Sequence, residues 1–312
     1  MTQTLIESPD QTILDRFRTE IQRRGITQAA AAKEAGLSAA ALTQLLNGSY
    51  NANPASQLEK IERWLGMQAE QASHPEMPAA PSWAPTPTAE RVLAALSYAQ
   101  MASDVAVIYG GAGLGKTTAC REYRRRISSV WIVTMTPATA SVATCLEEIC
   151  YALGLKSPPQ GAAKMQREII RRIADTNGLL VIDEAQHLSV QALDALRSLH
   201  DATGVGLALV GNEAVYTSMT GGNRAAYLDR LFSRIGKRVK LTRPTKNDVL
   251  RLSAAMGISA DDNDSLRMLF EIASRAGALR SVVKTVRLAT MMAGGASPAL
   301  KHLQAAWKDL SL

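Results

Sequence analysis

A short apolar run followed at once by a glycine-rich segment is the feature that most constrains this chain. Val105–Tyr109 has the composition of a buried strand, and the nine residues after it read GGAGLGKTT. This run matches the pattern G-x-x-x-x-G-K-[ST], which surrounds phosphates with backbone N–H groups when it lies between a strand and a helix. We therefore expect an α/β fold with a loop that binds ATP.

Each residue type in this loop has a physical role. Glycines let the backbone approach the phosphates. Lys116 is expected between the β- and γ-phosphates, and Thr117 is expected to supply a hydroxyl to Mg²⁺. The predicted nucleotide-binding residues are Gly110, Gly111, Ala112, Gly113, Leu114, Gly115, Lys116, Thr117 and Thr118.

Two further polar segments follow predicted strands. The run LLVIDEAQH places Asp183 and Glu184 at a strand end. Asp183 is expected to hold Mg²⁺, and Glu184 to orient and deprotonate the attacking water. A DE pair can also simply cap the next helix. Asn212 follows the next apolar strand, where a polar side chain can touch the γ-phosphate.

Short apolar strands alternate with helices across the middle of the chain. The strand candidates are Val105–Tyr109, Val130–Thr134, Leu179–Asp183, Gly206–Val210 and Arg238–Leu241, and the clearest helices are Thr139–Leu153, Ala163–Asp175 and Val190–Ala202. This alternation predicts a buried five-stranded parallel sheet. After Pro244 only helical patterns remain.

Composition shifts divide the chain into four segments. Residues 1–66 are predicted to form a small all-helical domain, and residues 67–87, which contain five prolines, a linker without helix or central strand. Residues 88–242 form the α/β core in this interpretation, and residues 243–312 a helical, basic C-terminal domain.

The N-terminal segment contains a two-helix pattern. A helix is predicted over Gln28–Glu34, a turn at Gly36, and a second helix capped by Ser38 that runs to Leu46. The spacing resembles the helix-turn-helix of the lambda Cro and repressor family, which binds the DNA major groove. The presumed base-contacting positions include two alanines, Ala39 and Ala40, so strong sequence-specific recognition is not expected.

The three polar motifs, followed by a helical domain, resemble the AAA+ ATPases. That resemblance implies sensor roles for Asn212 and for Arg280 in the run GALR. It also implies an arginine finger that reaches a neighbouring subunit's nucleotide, for which Arg230 and Arg234 are candidates and the SRI context favours Arg234. A surface ion pair or a DNA contact is the alternative for each arginine. The catalytic candidates are thus Lys116, Glu184, Asn212, Arg230, Arg234 and Arg280.

A closer resemblance extends over almost the whole chain. The run GNEAVYTSMTGGNRAAYLDRLFSRIGKRV, together with VWIVTMTP and GALR, is similar to the family of the B protein of bacteriophage Mu. This implies an AAA+ P-loop core with a helical lid. It also implies ATP-dependent assembly into a helical oligomer on double-stranded DNA with little sequence preference. The partner it implies is a transposase, which would receive target DNA and be activated.

The charge distribution agrees with a polyanionic partner. The net charge is +7, and residues 234–312 alone carry 14 Lys and Arg against six Asp and Glu. Under the resemblance, the candidate DNA contacts are Lys156, Lys164, Arg167, Arg171, Arg172 and Arg224. A solvated basic face without a partner is the simpler alternative.

Two other functions share these motifs. The chain could be a helicase loader or an insertion-sequence helper ATPase, or a transcription regulator in which ATP switches the helix-turn-helix. The three cysteines lack CxxC spacing, no apolar run is long enough for a membrane span, and no secretory signal is present. A protein of the bacterial host cytoplasm with free thiols and no membrane partner is therefore expected.

Overall fold

The computed structural model describes residues 9–73, 77–220 and 233–311. The chain divides into two compact units, Met1–Glu76 and Met77–Leu312.

The described part of the first unit is helical. Its helices are α1 (Pro9–Arg24), α2 (Gln28–Glu34), α3 (Ala39–Leu46) and α4 (Ala55–Ser73). The caps explain the two short helices, because the side chains of Thr27 and Ser38 accept hydrogen bonds from the first turns of α2 and α3. Phe17, Ile61 and Trp64 are buried at the centre of the unit. The predicted pair of helices and its Ser38 cap are confirmed, while the DNA-binding role of the pair stays a prediction.

The predicted linker is wrong at its start. Helix α4 continues to Ser73, seven residues into the segment 67–87 that was expected to contain no helix. The physical reason is that the prolines of this segment begin only at Pro75, and residues 67–73 consist mainly of good helix formers. From Met77 to Thr86 the chain is irregular, and helix α5 begins with Pro87 at its first position.

The second unit is built on a five-stranded parallel sheet. The strands are β1 (Val105–Gly110), β2 (Val130–Thr134), β3 (Leu179–Asp183), β4 (Gly206–Gly211) and β5 (Ile235–Leu241). Their order across the sheet is β2-β3-β4-β1-β5, and every pairing is parallel. The predicted sheet is confirmed, and β4 lies beside β1 as expected for the strand that leads to Asn212.

Helices cover both faces of this sheet, as the continuous apolar strands require. On one face lie α5 (Pro87–Met101) and α6 (Lys116–Arg126), and on the other lie α7 (Val142–Ala152), α8 (Ala162–Ile173), α9 (Val190–Thr203) and α10 (Glu213–Thr220). Strand residues alternate between the two cores, so that Val107 faces the second group and Ile108 the first.

The C-terminal segment is helical, as predicted. It contains α11 (Lys246–Ala255), α12 (Asn263–Ala273), α13 (Ala278–Met292) and α14 (Leu300–Leu310). These helices enclose their own apolar cluster, which also takes in Ala84 from the irregular segment before α5. We refer to α11–α14 as the lid helices.

Two expectations about the whole chain can be compared with the described residues. Cys120, Cys145 and Cys150 are free and buried, as predicted. Among the residues that the structure describes, no helix combines the length and apolar character needed to cross a membrane.

Candidate functional site

The glycine-rich loop lies between the end of β1 and the start of α6. Gly115 caps α6 in a left-handed conformation, so the positive end of the helix is directed at the loop. Gly113 has a φ of +79°, and a Cβ there would lie 2.0 Å from the carbonyl oxygen of Gly277. Only glycine allows the loop to approach the lid helices this closely.

Lys116 is the first residue of α6 and points back over the loop. Its Nζ donates hydrogen bonds to the carbonyl oxygens of Gly110 and Gly111, at 2.8 and 2.7 Å. Burial lowers the pKa of this ammonium, and the nearby carboxylates of Glu184 and Asp183 oppose the shift without reversing it.

A hydroxyl and a carboxylate meet beside the lysine. Thr117 Oγ1 donates to Asp183 Oδ2 at 2.7 Å, and Asp183, at the end of β3, is only 1% exposed. Asp183 Oδ1 accepts from the backbone N–H of Glu184 at 3.0 Å. Hard oxygen donors of this kind suit Mg²⁺, which usually takes one or two protein oxygens together with substrate phosphates. Among the described residues, no group of three His, Cys, Asp or Glu side chains is arranged for a metal.

Lys116 and Thr117 line one cavity of about 400 Å³. Lys116, Thr117, Glu184 and Asn212 form its polar side, and Arg280 of α13 closes it from the lid. Asn212 Oδ1 accepts from the backbone N–H of Ala214 at 2.8 Å, which fixes its side chain at the start of α10. The structure therefore brings together six residues predicted for the site from distant parts of the chain, namely Lys116, Thr117, Asp183, Glu184, Asn212 and Arg280.

The apolar wall of the cavity was not predicted from the sequence. Trp83 and Ala84 from the irregular segment line it together with Leu252, Leu279 and Val283 of the lid helices. A tryptophan in a proline-rich segment just before the core was the available signal, because such a residue needs a surface to cover it.

Arg234 lies away from this cavity. It directly precedes β5, whose first residue Ile235 pairs with Val105, while Leu241 pairs with Gly110 at the loop end. The intervening length of strand is about 20 Å at about 3.3 Å per residue, too far for the Arg234 side chain to reach its own chain's loop. Arg234 Nε instead donates to Asp201 Oδ1 at 2.5 Å. Arg230 and Arg224 lie outside the described residues.

The predicted DNA contacts fall into two groups. Lys156, Lys164 and Arg167 are exposed and make no ion pair with any part of the chain that the structure describes. Arg171 and Arg172 are also exposed but both bind Glu168, and their hydrogen bonds lower the pKa of that carboxyl to about 2. Lys164, Arg167 and Arg171 are spaced so that they share one face of α8.

Known protein families and relatives match most of the chain. Residues 233–310 match the family described as Mu B transposition protein, C terminal, and residues 100–219 match the family described as AAA domain. The ATP-dependent target DNA activator B of Escherichia phage Mu is 37% identical over 298 residues, which are 95% of this chain and 94% of that protein.

Two more similarities complete the comparison. The Mu-like prophage FluMu DNA transposition protein B of Haemophilus influenzae is 36% identical over 275 residues, 88% of this chain and 95% of that protein. Domain III of the replication initiation protein DnaA of Thermotoga maritima is 17% identical, with a TM-score of 0.49, over 73% of this chain and 94% of that structure.

Proposed function

This chain belongs to the family of the Mu B transposition proteins, and we propose that it is an ATPase that binds target DNA and delivers it to a transposase. Its relative in phage Mu is named an ATP-dependent target DNA activator and aligns over nearly its full length. ATP hydrolysis to ADP and phosphate is the reaction that the loop, the acidic strand end and the AAA domain match support.

The loop residues bind the triphosphate. Backbone N–H groups of the loop and the amino end of α6 would bind the phosphates, and Lys116 would supply positive charge. Thr117 and Asp183 would hold Mg²⁺, which would supply positive charge to neutralise the phosphates.

Three other residues carry the chemistry in this proposal. Glu184 accepts a proton from the attacking water, because it follows Asp183 directly in the chain and lines the cavity. Asn212 and Arg280 contact the γ-phosphate, Asn212 from the end of β4 and Arg280 from the lid. Loss of the γ-phosphate on hydrolysis is then sensed both by the end of β4 and by the lid.

We propose self-association, and the position of Arg234 supports it. Because this side chain is about 20 Å from the loop end of its own sheet, it acts as an arginine finger only toward the nucleotide of a neighbouring subunit. ATP at that junction stabilises the oligomer by linkage, and hydrolysis removes the stabilisation. We propose a helical oligomer around double-stranded DNA. Lys156, Lys164 and Arg167 are its main phosphate contacts, with Arg171, Arg172 and Arg224 contributing.

The observation that carries the proposal is the assembly of Lys116, Thr117, Glu184, Asn212 and Arg280 around one cavity, with Asp183 hydrogen-bonded to Thr117 behind its wall. The test is binding to random-sequence duplex DNA with ATP and Mg²⁺ at several salt concentrations, followed by electron microscopy. The expected result is ATP-dependent filaments whose affinity falls steeply with salt. Lys116→Ala is the control and should bind no nucleotide and form no filament.

Two outcomes would contradict the proposal. The first is a wild-type protein that stays monomeric and unbound to DNA with ATP at physiological salt. The second is binding to one operator sequence about 10³-fold tighter than to random DNA, which identifies a transcription regulator. A pull-down with a Mu-type transposase, with and without ATP, tests the delivery step.

A further inference from the structure

Gln186 lies between two residues to which the proposed reaction assigns roles. It belongs to a short 3-10 turn, Ala185–His187, that directly follows β3 and Glu184. Its Nε2 donates a hydrogen bond to Glu184 Oε2, and its Oε1 accepts one from the backbone N–H of Asn212 at 3.2 Å. The half-buried side chain therefore joins the end of β3 to the segment that follows β4.

The chemistry of the two neighbours requires a side chain that both donates and accepts hydrogen bonds. An ionised carboxylate only accepts hydrogen bonds, and a backbone N–H only donates them. A side chain that bridges Glu184 and Asn212 must therefore donate at one atom and accept at the other. Gln186 does both, and the requirement also fixes which end of its amide faces which neighbour.

The end of β4 is shaped to receive this amide. A Cβ at Gly211 would lie 2.3 Å from Gln186 Oε1 and 2.5 Å from Val215 Cγ2. Any larger residue at Gly211 would displace the amide oxygen from the Asn212 N–H. The close packing shows that the Gln186 side chain occupies one defined position against the backbone of β4.

We propose that Gln186 is a positioning residue for ATP hydrolysis, which holds the Glu184 carboxylate by one oxygen and ties it to the Gly211–Asn212 segment. This inference rests on the proposed function, in which Glu184 is the general base. The bond from Gln186 goes to Oε2, and Oε1, which receives no bond from Gln186, is the oxygen to which we assign the proton of water. The bridge also transmits a displacement of Asn212, caused by loss of the γ-phosphate, to Glu184 without a direct contact between them.

Two substitutions separate the two halves of the bridge. Gln186→Glu keeps the length and the acceptor for Asn212 but replaces the donor to Glu184 with a second negative charge. Gln186→Met has a similar length and removes both hydrogen bonds. Loss of positioning of a general base is expected to lower kcat about 10-fold or more in both variants, with Gln186→Glu the more affected because like charges repel.

The assay is DNA-stimulated phosphate release at varied ATP concentration. Both variants should change kcat while KM for ATP and affinity for a fluorescent ATP analogue stay within about twofold, because Gln186 acts through Glu184 and not on nucleotide binding. Gln191→Glu, an exposed residue of α9, is the matched control for the added charge and should behave as wild type. Thermal unfolding of each variant checks that the fold is retained.

A double substitution shows whether the effect passes through Glu184. In a Glu184→Gln background, Gln186→Met should lower the remaining rate by less than about twofold, because coupled sites are not additive. An equal loss in both backgrounds, a rise in KM alone, or a kcat for Gln186→Glu within twofold of wild type would overturn the proposal. Failure of the proposed function is recognised separately, since then the wild type hydrolyses no ATP or Glu184→Gln remains fully active.

Discussion

Replacing Asp248 with asparagine should destabilise the second unit by about 2–4 kcal/mol. Asp248 lies on α11 of the lid and is completely buried. Its Oδ1 accepts from the backbone N–H of Thr88 at 2.8 Å, and its Oδ2 accepts from Thr88 Oγ1 at 2.9 Å. Oδ2 also accepts from the backbone N–H of Thr245 at 2.7 Å and from Thr245 Oγ1 at 2.8 Å. One carboxylate thus joins the first turn of α5 to the start of the lid.

The magnitude follows from the two backbone donors. They bind opposite oxygens of Asp248, whereas an asparagine has one acceptor oxygen and one NH₂ group. In either orientation the NH₂ faces a backbone N–H, and a buried donor without a partner costs about 1–3 kcal/mol. The remaining bonds lose their charged acceptor, which weakens them by about 1 kcal/mol together.

Urea denaturation at pH 7 measures the loss, and hydrogen exchange of peptides covering residues 84–96 and 243–255 locates it. Asp264→Asn is the matched control, because Asp264 is exposed and pairs only with Arg267 among the described residues. It should cost less than about 0.5 kcal/mol. An Asp248→Asn protein no less stable than this control would refute the reasoning, as would faster exchange confined to other regions.

The same carboxylate predicts a pH dependence. Burial by itself would raise the pKa of Asp248, but the hydrogen bonds from Thr88 and Thr245 outweigh it, and the pKa lies below its ordinary value. A depressed pKa in the folded state adds stability above the unfolded pKa of about 4, and this is lost as pH falls toward the folded pKa. The stability difference between wild type and Asp248→Asn should therefore be largest near neutral pH and shrink below about pH 4. A difference that grows in acid would contradict the assignment.

Three further predictions concern the proposed reaction and its DNA. Glu184→Gln should bind ATP and stay assembled on DNA while phosphate release falls about 10²-fold or more; wild-type turnover would exclude Glu184 as the base. Arg234→Ala should bind ATP normally yet lose DNA-stimulated hydrolysis. Mixing it with Lys116→Ala, which retains Arg234 but cannot bind ATP, should restore part of the hydrolysis rate. No restoration would argue against action between subunits. Replacing Lys164 and Arg167 by alanine should reduce the slope of log affinity against log salt by about 2. Arg171→Ala should change this slope by less than half as much, because Arg171 is already paired with Glu168. An Arg171→Ala effect equal to half the double-variant effect would show that the ion pair with Glu168 does not weaken the DNA contact.

The parts of the fold that follow from local pattern were predictable. Strands β2 and β3 begin and end where the sequence indicated, because each apolar run is bounded by polar residues. Helix α3 was predictable for the same kind of reason, since Ser38 is a strong N-cap. Strand β5 starts three residues before its predicted start, because Gly236 and Lys237 interrupt the apolar pattern while the backbone still pairs with β1.

The contacts that couple distant segments were not predictable. Thr88 and Asp248 are 160 residues apart, and nothing in either local sequence identifies the other as a partner. The bridge by Gln186 depends on β3 and β4 being neighbours in the sheet, an order that one sequence does not specify. Sequence motifs identify groups that bind a phosphate or metal because that chemistry limits the residue types, whereas supporting hydrogen bonds can be made by many residue pairs.

Arg234 shows how a sequence motif and a contact between distant segments are read together. Its motif context made it a candidate for catalysis, yet the sheet places it at the end opposite the loop, bound to Asp201. Asp201 also accepts from Arg197 at 2.6 Å, so in the single chain the carboxylate is shared between two arginines. If Arg234 moved to a neighbour's γ-phosphate, Asp201, which is exposed, would keep its bond to Arg197, so the cost of the exchange would be low. Under the proposed function, ATP bound to one subunit would be the anion that makes the exchange favourable in the next, and each hydrolysis event would remove it. An assembly held by this exchange persists only while its nucleotides are intact, which is the property required of a protein that must release the DNA it has delivered.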